Sequence, residues 1–537
     1  MGTRRGYAPC VCPIFDLEMF WNEFVSFLPE YLAQDAARLP PISVPIIGIT
    51  HDSRRVLPGY IFVALTGGTT DGHRYIPDAL QRGAILVVGE KPLGKIRVPY
   101  LQVADSRLSL AHLSAAFYGL PARRLTVIGV TGTDGKTTTT NLIYYILLAA
   151  GVRAGMISTV NAVIGERVLD TGFHVTTPEA PDVQNYLAQM VAAGITHVVL
   201  EATSHGLAQH RVAACEFDLG VMTNITHEHL DYHGTFEAYR EAKARLFKGL
   251  AGTPYKPQGN YRLGVLNRDD SSYDYLASRL QSHISYGLHP LSDLRAARID
   301  NRPDGLHFIA VGHGHELPVS THLIGEYNVS NCLAAAATTI LGLGLDPQAA
   351  ISGIANLPSV PGRMERIIMG QDFLAIVDFA HTPNALKAAE SAAKSLAGQN
   401  GRVIAVFGSA GLRDRAKRHM MAKLSAKLAD FTVLTAEDPR NESLDDILAE
   451  MAAGAAAGGG AEGHTFWRVP DRGTAIRFAV RMARSGDVVI VMGKGHEQSM
   501  CFGETEYPWD DRVAMRAALA DYLGISAPPM PYLPTQS

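Results

Sequence analysis

Between Val127 and Thr138 the chain reads Val-Ile-Gly-Val-Thr-Gly-Thr-Asp-Gly-Lys-Thr-Thr, an apolar run that enters a glycine-rich turn and ends on Lys-Thr. Such a turn cradles phosphate. Gly132 and Gly135 free backbone N–H groups to point inward, Lys136 adds a point charge, and the Thr137 hydroxyl can reach a magnesium ion. A helix expected from Thr138 to Ala150 adds its positive dipole end. The strict pattern puts a glycine where Val130 stands, so the match is to a shortened form, and a plain strand-to-helix turn is the competing reading. Glu201 follows the apolar run Thr196–Leu200, which brings its carboxylate to the carboxyl edge of a buried strand and suits a magnesium ligand. His229 lies in the loop Thr223–Gly234, crowded with histidine and acidic side chains, where ligand and ordinary surface histidine are equally open. Lys243 falls on a predicted helix, Phe236 to Leu250, where spacing alone makes it a solvated lysine.

Elements must hold these residues, and composition says how many. At 537 residues, with 47% apolar and 19% charged residues, the chain can bury several cores and divides into about three domains. A net charge of −4 gives no general attraction to nucleic acid or an anionic membrane. Five scattered cysteines (Cys10, Cys12, Cys215, Cys332, Cys501) fit a reducing cytoplasm better than a disulfide framework. Cys10 and Cys12 have no second pair nearby to complete a metal site. No apolar run approaches the ~20 residues that cross a bilayer, and Asp16 and Glu18 interrupt the segment after Arg4 and Arg5, so no secretory signal is expected.

Strand-like runs at Ile46–Thr50, Tyr60–Ala64 and Ala84–Val88 mark a first α/β segment, residues 1–122. A second, 123–360, has strands at Leu125–Val130, Val198–Glu201 and Leu219–Thr223. A third, 361–537, has them at Phe373–Asp378, Arg402–Phe407, Thr432–Ala436 and Asp487–Met492. Alternation with helical patterns predicts parallel, doubly wound sheets in the second and third segments. The Ala/Gly tract from Ala452 to Gly463 reads as a frayed helix end and surface loop.

Eight motifs occur in one order: Gly132-Thr-Asp-Gly-Lys-Thr137, Thr176-Thr-Pro178, Glu201-Ala-Thr-Ser-His-Gly-Leu207, His229-Leu-Asp-Tyr-His-Gly234, Asn328-Val-Ser-Asn331, Gly362-Arg-Met-Glu-Arg366, Asp378-Phe-Ala-His-Thr-Pro383 and Gly493-Lys-Gly-His-Glu497. Together, from about Asp52 to Val513, the chain resembles the Mur ligase family of peptidoglycan synthesis, and within it the tripeptide synthetases. The resemblance implies an N-terminal UDP-binding domain, a central phosphate-loop ATPase-like domain and a C-terminal Rossmann-like domain that binds an amino acid. It implies an ATP-dependent ligase that joins a diamino acid to the D-glutamate of UDP-N-acetylmuramoyl-L-alanyl-D-glutamate through an acyl phosphate.

By that resemblance Gly132, Thr133, Asp134, Gly135, Lys136, Thr137, Thr138, Asn328, Asn331, Arg363 and Asp378 bind ATP, and Thr137, Glu201, His229 and Lys243 surround magnesium. Lys136, Glu201, His229 and Lys243 form the catalytic set, with Lys243 converted to a carbamate, an anionic ligand on the stem of a cation. Ser53, Thr176, Thr177, Thr203, Gln209 and Arg211 contact the nucleotide-sugar peptide. Arg413, Glu437, Asp438, Arg440, Gly493 and Glu497 receive the amino acid. Three departures stand out. Asp134 replaces a usual Asn, Thr203 a usual Ser, and Glu437-Asp-Pro-Arg440 a usual Asp-Asn-Pro-Arg in members that use meso-diaminopimelate. Arg440 favours meso-2,6-diaminopimelate through its distal carboxylate, while the added negative charge leaves L-lysine or L-ornithine open. A cytoplasmic monomer is expected. The rival readings are another Mur ligase, a folylpolyglutamate synthetase, or a nucleotide-binding scaffold without catalysis.

Overall fold

The computed structural model describes residues 18–67, 70–169, 177–226, 228–302, 305–398 and 400–535. Thr176, Cys10 and Cys12 lie outside the described residues. None of the described helices is long and apolar enough to cross a membrane.

The first sheet has four parallel strands in chain order, Gly48–Thr50, Tyr60–Ala64, Leu86–Gly89 and Tyr100–Gln102. The stretch before it, which carries no clear pattern in sequence, forms two short helices, Trp21–Ser26 and Glu30–Ala36. Trp21, Phe24, Leu32 and Ala36 bury into the same core as the helix Ser106–Phe117.

The second sheet has eleven strands. Its middle is parallel, as expected: His283–Gly287, Leu263–Asn267, Leu219–Met222, Thr126–Thr131, His197–Glu201 and Ala154–Ile157 lie side by side. Both margins depart from the purely parallel expectation. Ala162–Ile164 and Arg167–Leu169 add antiparallel strands at one edge, and Gly305–Gly312 and His315–Thr321 run antiparallel at the other. The reason is turn chemistry: His313 and Gly314, at φ +49° and +78°, make the two-residue turn that reverses a strand on itself, where a parallel return needs a crossover helix.

In the middle, successive residues of Thr126–Thr131 bury on opposite faces. Ile128 and Val130 pack beneath the helices Lys136–Ala149 and Tyr327–Ala336, and Val127 beneath Ala180–Ala192 and Phe236–Leu250. The third sheet repeats the arrangement. Its strands Leu374–Asp378, Val488–Met492, Val403–Phe407, Phe431–Leu434 and Phe466–Arg468 are parallel neighbours, with the short Glu365–Arg366 antiparallel at one edge. Ala405 and Phe407 enter one core and Ile404 and Val406 the other, which makes a doubly wound layer.

The Ala/Gly tract is not a frayed end along its whole length. The helix Leu444–Ala457 buries Ala452, Gly454 and Ala455, and a Cβ on Gly454 would lie 2.5 Å from the His419 carbonyl oxygen. Glycine there lets two helices approach closely.

Candidate functional site

The strand Thr126–Thr131 has Leu219–Met222 on one side and His197–Glu201 on the other, so the strand order reverses beside it and three carboxyl ends open into one crevice. The glycine-rich turn fills that crevice. Gly132 and Gly135 have φ of +153° and +80°, and a Cβ would meet Thr223 Oγ1 at 1.8 Å at the first and Asn331 Oδ1 at 2.3 Å at the second. Only glycine fits either place. The turn is pinned from the next strand: the Thr133 N–H donates to the Asn224 carbonyl (2.7 Å), the Asp134 N–H to Asn224 Oδ1 (2.9 Å), and Thr223 Oγ1 to the Asp134 carbonyl (2.6 Å). Asp134 itself is exposed. Lys136 opens the helix, two residues earlier than expected, and its Nζ donates to the Thr133 carbonyl at 2.8 Å.

Glu201 is 1% exposed and accepts from Thr137 Oγ1 at 3.1 and 3.2 Å and from the Thr159 N–H at 2.9 Å. His229 stands at φ +54° in the following loop, its ring 4.9 Å from that of His205. Its side chain keeps contact with solvent, yet partial desolvation against the crevice wall, with the positive field of His205, Lys136 and Lys243 added, holds its imidazole below the usual histidine range, so it stays neutral with a lone pair to offer. Lys243, on the helix Phe236–Leu250, is 1% exposed and donates to the Gly132 carbonyl at 2.5 Å. Far from a solvated lysine, it lies beneath the turn. Burial first, then the Lys136 charge, holds its ammonium well below the usual lysine range. Tyr239, one helical turn before it, bonds Thr133 Oγ1 at 3.0 Å; nothing in its spacing marks it in sequence.

The third sheet closes the crevice. Arg363 Nη2 reaches Thr137 Oγ1 at 3.4 Å while its guanidinium lies over the Phe379 ring at 4.4 Å. Asp378 accepts from the Met364 and Ala380 N–H groups at 2.7 and 2.8 Å. Lys417 pairs across the gap with Glu228 at 3.0 Å, a contact not foreseen from sequence. Together these walls enclose a cavity of about 550 Å³. Thr133 to Thr138, Glu201, Thr203, His229, Asn328, Asn331, Arg363, Asp378 and Glu497 line it.

Other expected residues gather elsewhere. Ser53 is buried in a turn capped by Asp52, at the first sheet. Thr177 Oγ1 bonds Thr203 Oγ1 at 3.0 Å, and Arg211 donates to the Thr177 carbonyl (2.8 Å) and Gln209 Oε1 (2.7 Å) and pairs with Glu179 (2.9 Å). These five form one polar patch that borders the cavity at Thr203. Glu437, Asp438, Arg440 and Gly493 cluster at carboxyl ends of the third sheet, and Arg413 is exposed on the loop before the helix Ala416–Leu428. Burial pushes the Glu437 carboxyl up to about 7, against the pull of Arg472 and Lys494.

Three family models match along the chain: "Mur ligase family, catalytic domain" over residues 45–118, "Mur ligase middle domain" over 130–339, and "Mur ligase, glutamate ligase domain" over 362–495. A UDP-N-acetylmuramyl-tripeptide synthetase of Roseiflexus sp. (strain RS-1) is 44% identical over 499 residues, covering 91% of this chain and 97% of the relative. A UDP-N-acetylmuramoyl-L-alanyl-D-glutamate–2,6-diaminopimelate ligase of Geobacillus thermodenitrificans (strain NG80-2) is 42% identical over 478 residues, covering 89% and 95%. A solved structure of a ligase with that same name superposes with a TM-score of 0.62 at 32% identity, covering 90% of this chain and 96% of the other.

Proposed function

The chain belongs to the Mur ligase family, and from that premise we propose that it joins a diamino acid to the D-glutamate carboxylate of UDP-N-acetylmuramoyl-L-alanyl-D-glutamate, driven by ATP, as a step of peptidoglycan synthesis. One observation carries this reading. The phosphate turn, a buried carboxylate, a neutral imidazole and the third domain's Arg363, Asp378 and Glu497 meet in a single cavity of about 550 Å³.

A carboxylate is a poor electrophile. Transfer of the γ-phosphoryl group of ATP to one of its oxygens gives an acyl phosphate and ADP. The diamino acid's neutral amine then attacks the carbonyl carbon, phosphate leaves with the C–O electron pair, and the amine loses its proton. Most of the work is positioning and charge control. Lys136 and the N–H groups of the turn hold the phosphate oxygens, Asn328 and Asn331 flank the adenine side, and Arg363 and Asp378 meet the nucleotide from the third domain. Magnesium suits the donors present: the Thr137 hydroxyl, the Glu201 carboxylate and the neutral His229 imidazole. When bound, it neutralises charge on the transferring phosphoryl group.

Lys243 fits a carbamate. Only an unprotonated amine can add to carbon dioxide, forming an N–C bond with loss of a proton, and burial beside Lys136 favours that unprotonated state. The product would put an anionic oxygen where an ammonium repels both Lys136 and magnesium. Ser53, Thr176, Thr177, Thr203, Gln209 and Arg211 then hold the nucleotide-sugar peptide. The segment Glu437–Arg440, with Arg413, Gly493 and Glu497, receives the amino acid. On this reading residues 1–122, 123–360 and 361–537 bind UDP, ATP and amino acid in turn, within a cytoplasmic monomer.

Meso-2,6-diaminopimelate is the amino acid we favour, because Arg440 has no ion pair among the described residues and can take a distal carboxylate in two-point fashion. L-lysine or L-ornithine is favoured instead by the acidic pair Glu437 and Asp438. Purified protein with ATP and the three amino acids in competition tests both levels. Amide formed chiefly from diaminopimelate is the expected result. ATP turnover without amide from any of them would overturn the ligase reading, and a strong preference for lysine or ornithine would overturn the choice of amino acid.

A further inference from the structure

The segment Glu437–Arg440 does not present all of its charge to an incoming amino acid. Asp438 stands at φ +41° with both carboxylate oxygens engaged: Oδ1 accepts the Cys501 N–H at 2.9 Å and Oδ2 pairs with Lys494 Nζ at 2.9 Å. The Lys494 side chain is 1% exposed and also pairs with Glu497. Arg440, at φ +54°, is held through its backbone, its N–H donating to the Cys501 carbonyl (3.1 Å) and its carbonyl accepting from Gly503 (2.9 Å). The hairpin Ser499–Phe502 and Thr505–Pro508 thus clips the segment from one side while Lys494 ties it from the other. Glu437 faces Gly493, where a Cβ would lie 2.1 Å from its Oε2, and that buried oxygen has no hydrogen-bond partner. Arg472, also buried, already donates to Asp511, to the Ala436 carbonyl and to the Met492 carbonyl.

An aspartate with both oxygens engaged has none left for a substrate ammonium, and unpaired it would repel a substrate carboxylate. We propose that Lys494 is a positioning residue for amino-acid selection: it takes up the charge of Asp438, whose other oxygen is already engaged, and braces Glu497 through Oε2 alone, leaving Arg440 and the other Glu497 oxygen to read the two charges at the far end of the diamino acid. Asp438 and Glu497 balance Lys494 and Arg440, and Glu437, buried behind Gly493 with its carboxyl pushed up to about 7, adds only part of a negative charge, so the group suits a zwitterionic distal end. The inference rests on the reading of the third domain as the amino-acid domain.

A double-variant cycle on the full-length protein tests it, with KM for each amino acid as readout and KM for ATP as control. Lys494→Met is expected to raise KM for diaminopimelate about tenfold or more and to erode the preference over lysine, because a buried carboxylate loses its partner. KM for ATP should hold. Asp438→Asn added to Lys494→Met should restore most of the loss, Asp438→Asn alone should raise KM for the amino acid by clearly less than Lys494→Met does, and Lys494→Arg should retain most of the selectivity. Two results would overturn the proposal: an unchanged KM in folded Lys494→Met protein, or a tenfold loss from Asp438→Asn alone, which would put that carboxylate on the substrate. Where Lys494→Met fails to fold, the double variant decides, near-normal KM supporting the proposal and a tenfold rise refuting it. A wild type that prefers lysine fails the substrate reading, yet the same cycle read on lysine still tests the coupling.

Discussion

The phosphate turn and the segment Glu437–Arg440 both sit at carboxyl ends of parallel strands, in different sheets, and they are built on opposite plans. The turn uses glycine at its positive-φ positions, carries its phosphate-facing groups on the contiguous run Gly132 to Thr138, and is braced from behind by Thr223, Asn224 and Tyr239. The segment places Asp438 and Arg440 in the left-handed region, a strained choice for non-glycine residues, and draws its partners from Lys494, Cys501 and Gly503. Phosphate is the same in every turnover, so a local backbone device suffices. Choosing among diamino acids requires opposed charges held at fixed distances, and rigid placement comes from distant elements that pack together.

If that contrast holds, damage to the turn should cost turnover and damage to the segment should cost selection. The largest effect is expected from Lys136→Ala, which should lower kcat by about 10³-fold or more with the fold intact, since its charge acts in a closed, water-poor site. Near-normal turnover at saturating ATP would break the comparison at its stronger end. Lys243→Ala should lose most activity and regain part of it with added short carboxylates that occupy the vacated volume. Full activity without additive would remove the carbamate. Arg440→Ala should leave kcat for lysine little changed while the preference for diaminopimelate falls about 10- to 100-fold, the worth of charge-assisted hydrogen bonds to one carboxylate.

The smallest effect is on stability, from Glu437→Gln. The Glu437 carboxyl is raised in the folded protein to about 7 from an ordinary value of 4.5, so the folded state holds its proton more tightly than the unfolded chain does. That contribution is fully present below about pH 4.5 and is lost as pH rises through 7. The variant should therefore gain on the wild type between pH 5 and pH 8, by about 1–3 kcal/mol in unfolding free energy. Parallel melting curves for the two proteins across that range would instead show a Glu437 carboxylate that ionises freely.

Sequence disclosed the turn because its residues are contiguous, and Glu201 because an apolar run ending in a carboxylate is a local pattern. The strands Tyr60–Ala64 and Val403–Phe407 announce themselves in the same way. Lys243 does not: its helix carries other lysines and arginines at similar spacing, and only family resemblance singled it out before its burial was visible. The helices Trp21–Ser26 and Glu30–Ala36 are 6 and 7 residues long, too short for a 3.6-residue period to repeat. The Asp438–Lys494 pair joins positions 56 residues apart, and a single sequence holds no trace of that contact. The Ala452–Gly463 tract hides its packing for a related reason, since a glycine such as Gly454 that admits a neighbouring helix looks, without the neighbour, like one that ends its own.

Two domains share the wall of the cavity, and that division governs the life of the intermediate. An acyl phosphate is a mixed anhydride, and water, though a weaker nucleophile than an amine, competes for it wherever it is abundant. Water has least access while the faces carrying Thr137 and Glu228 meet those carrying Arg363 and Lys417. The fidelity of coupling between ATP and amide therefore rides on that interdomain seam, and a chain that opens early would still burn nucleotide while its product failed to accumulate.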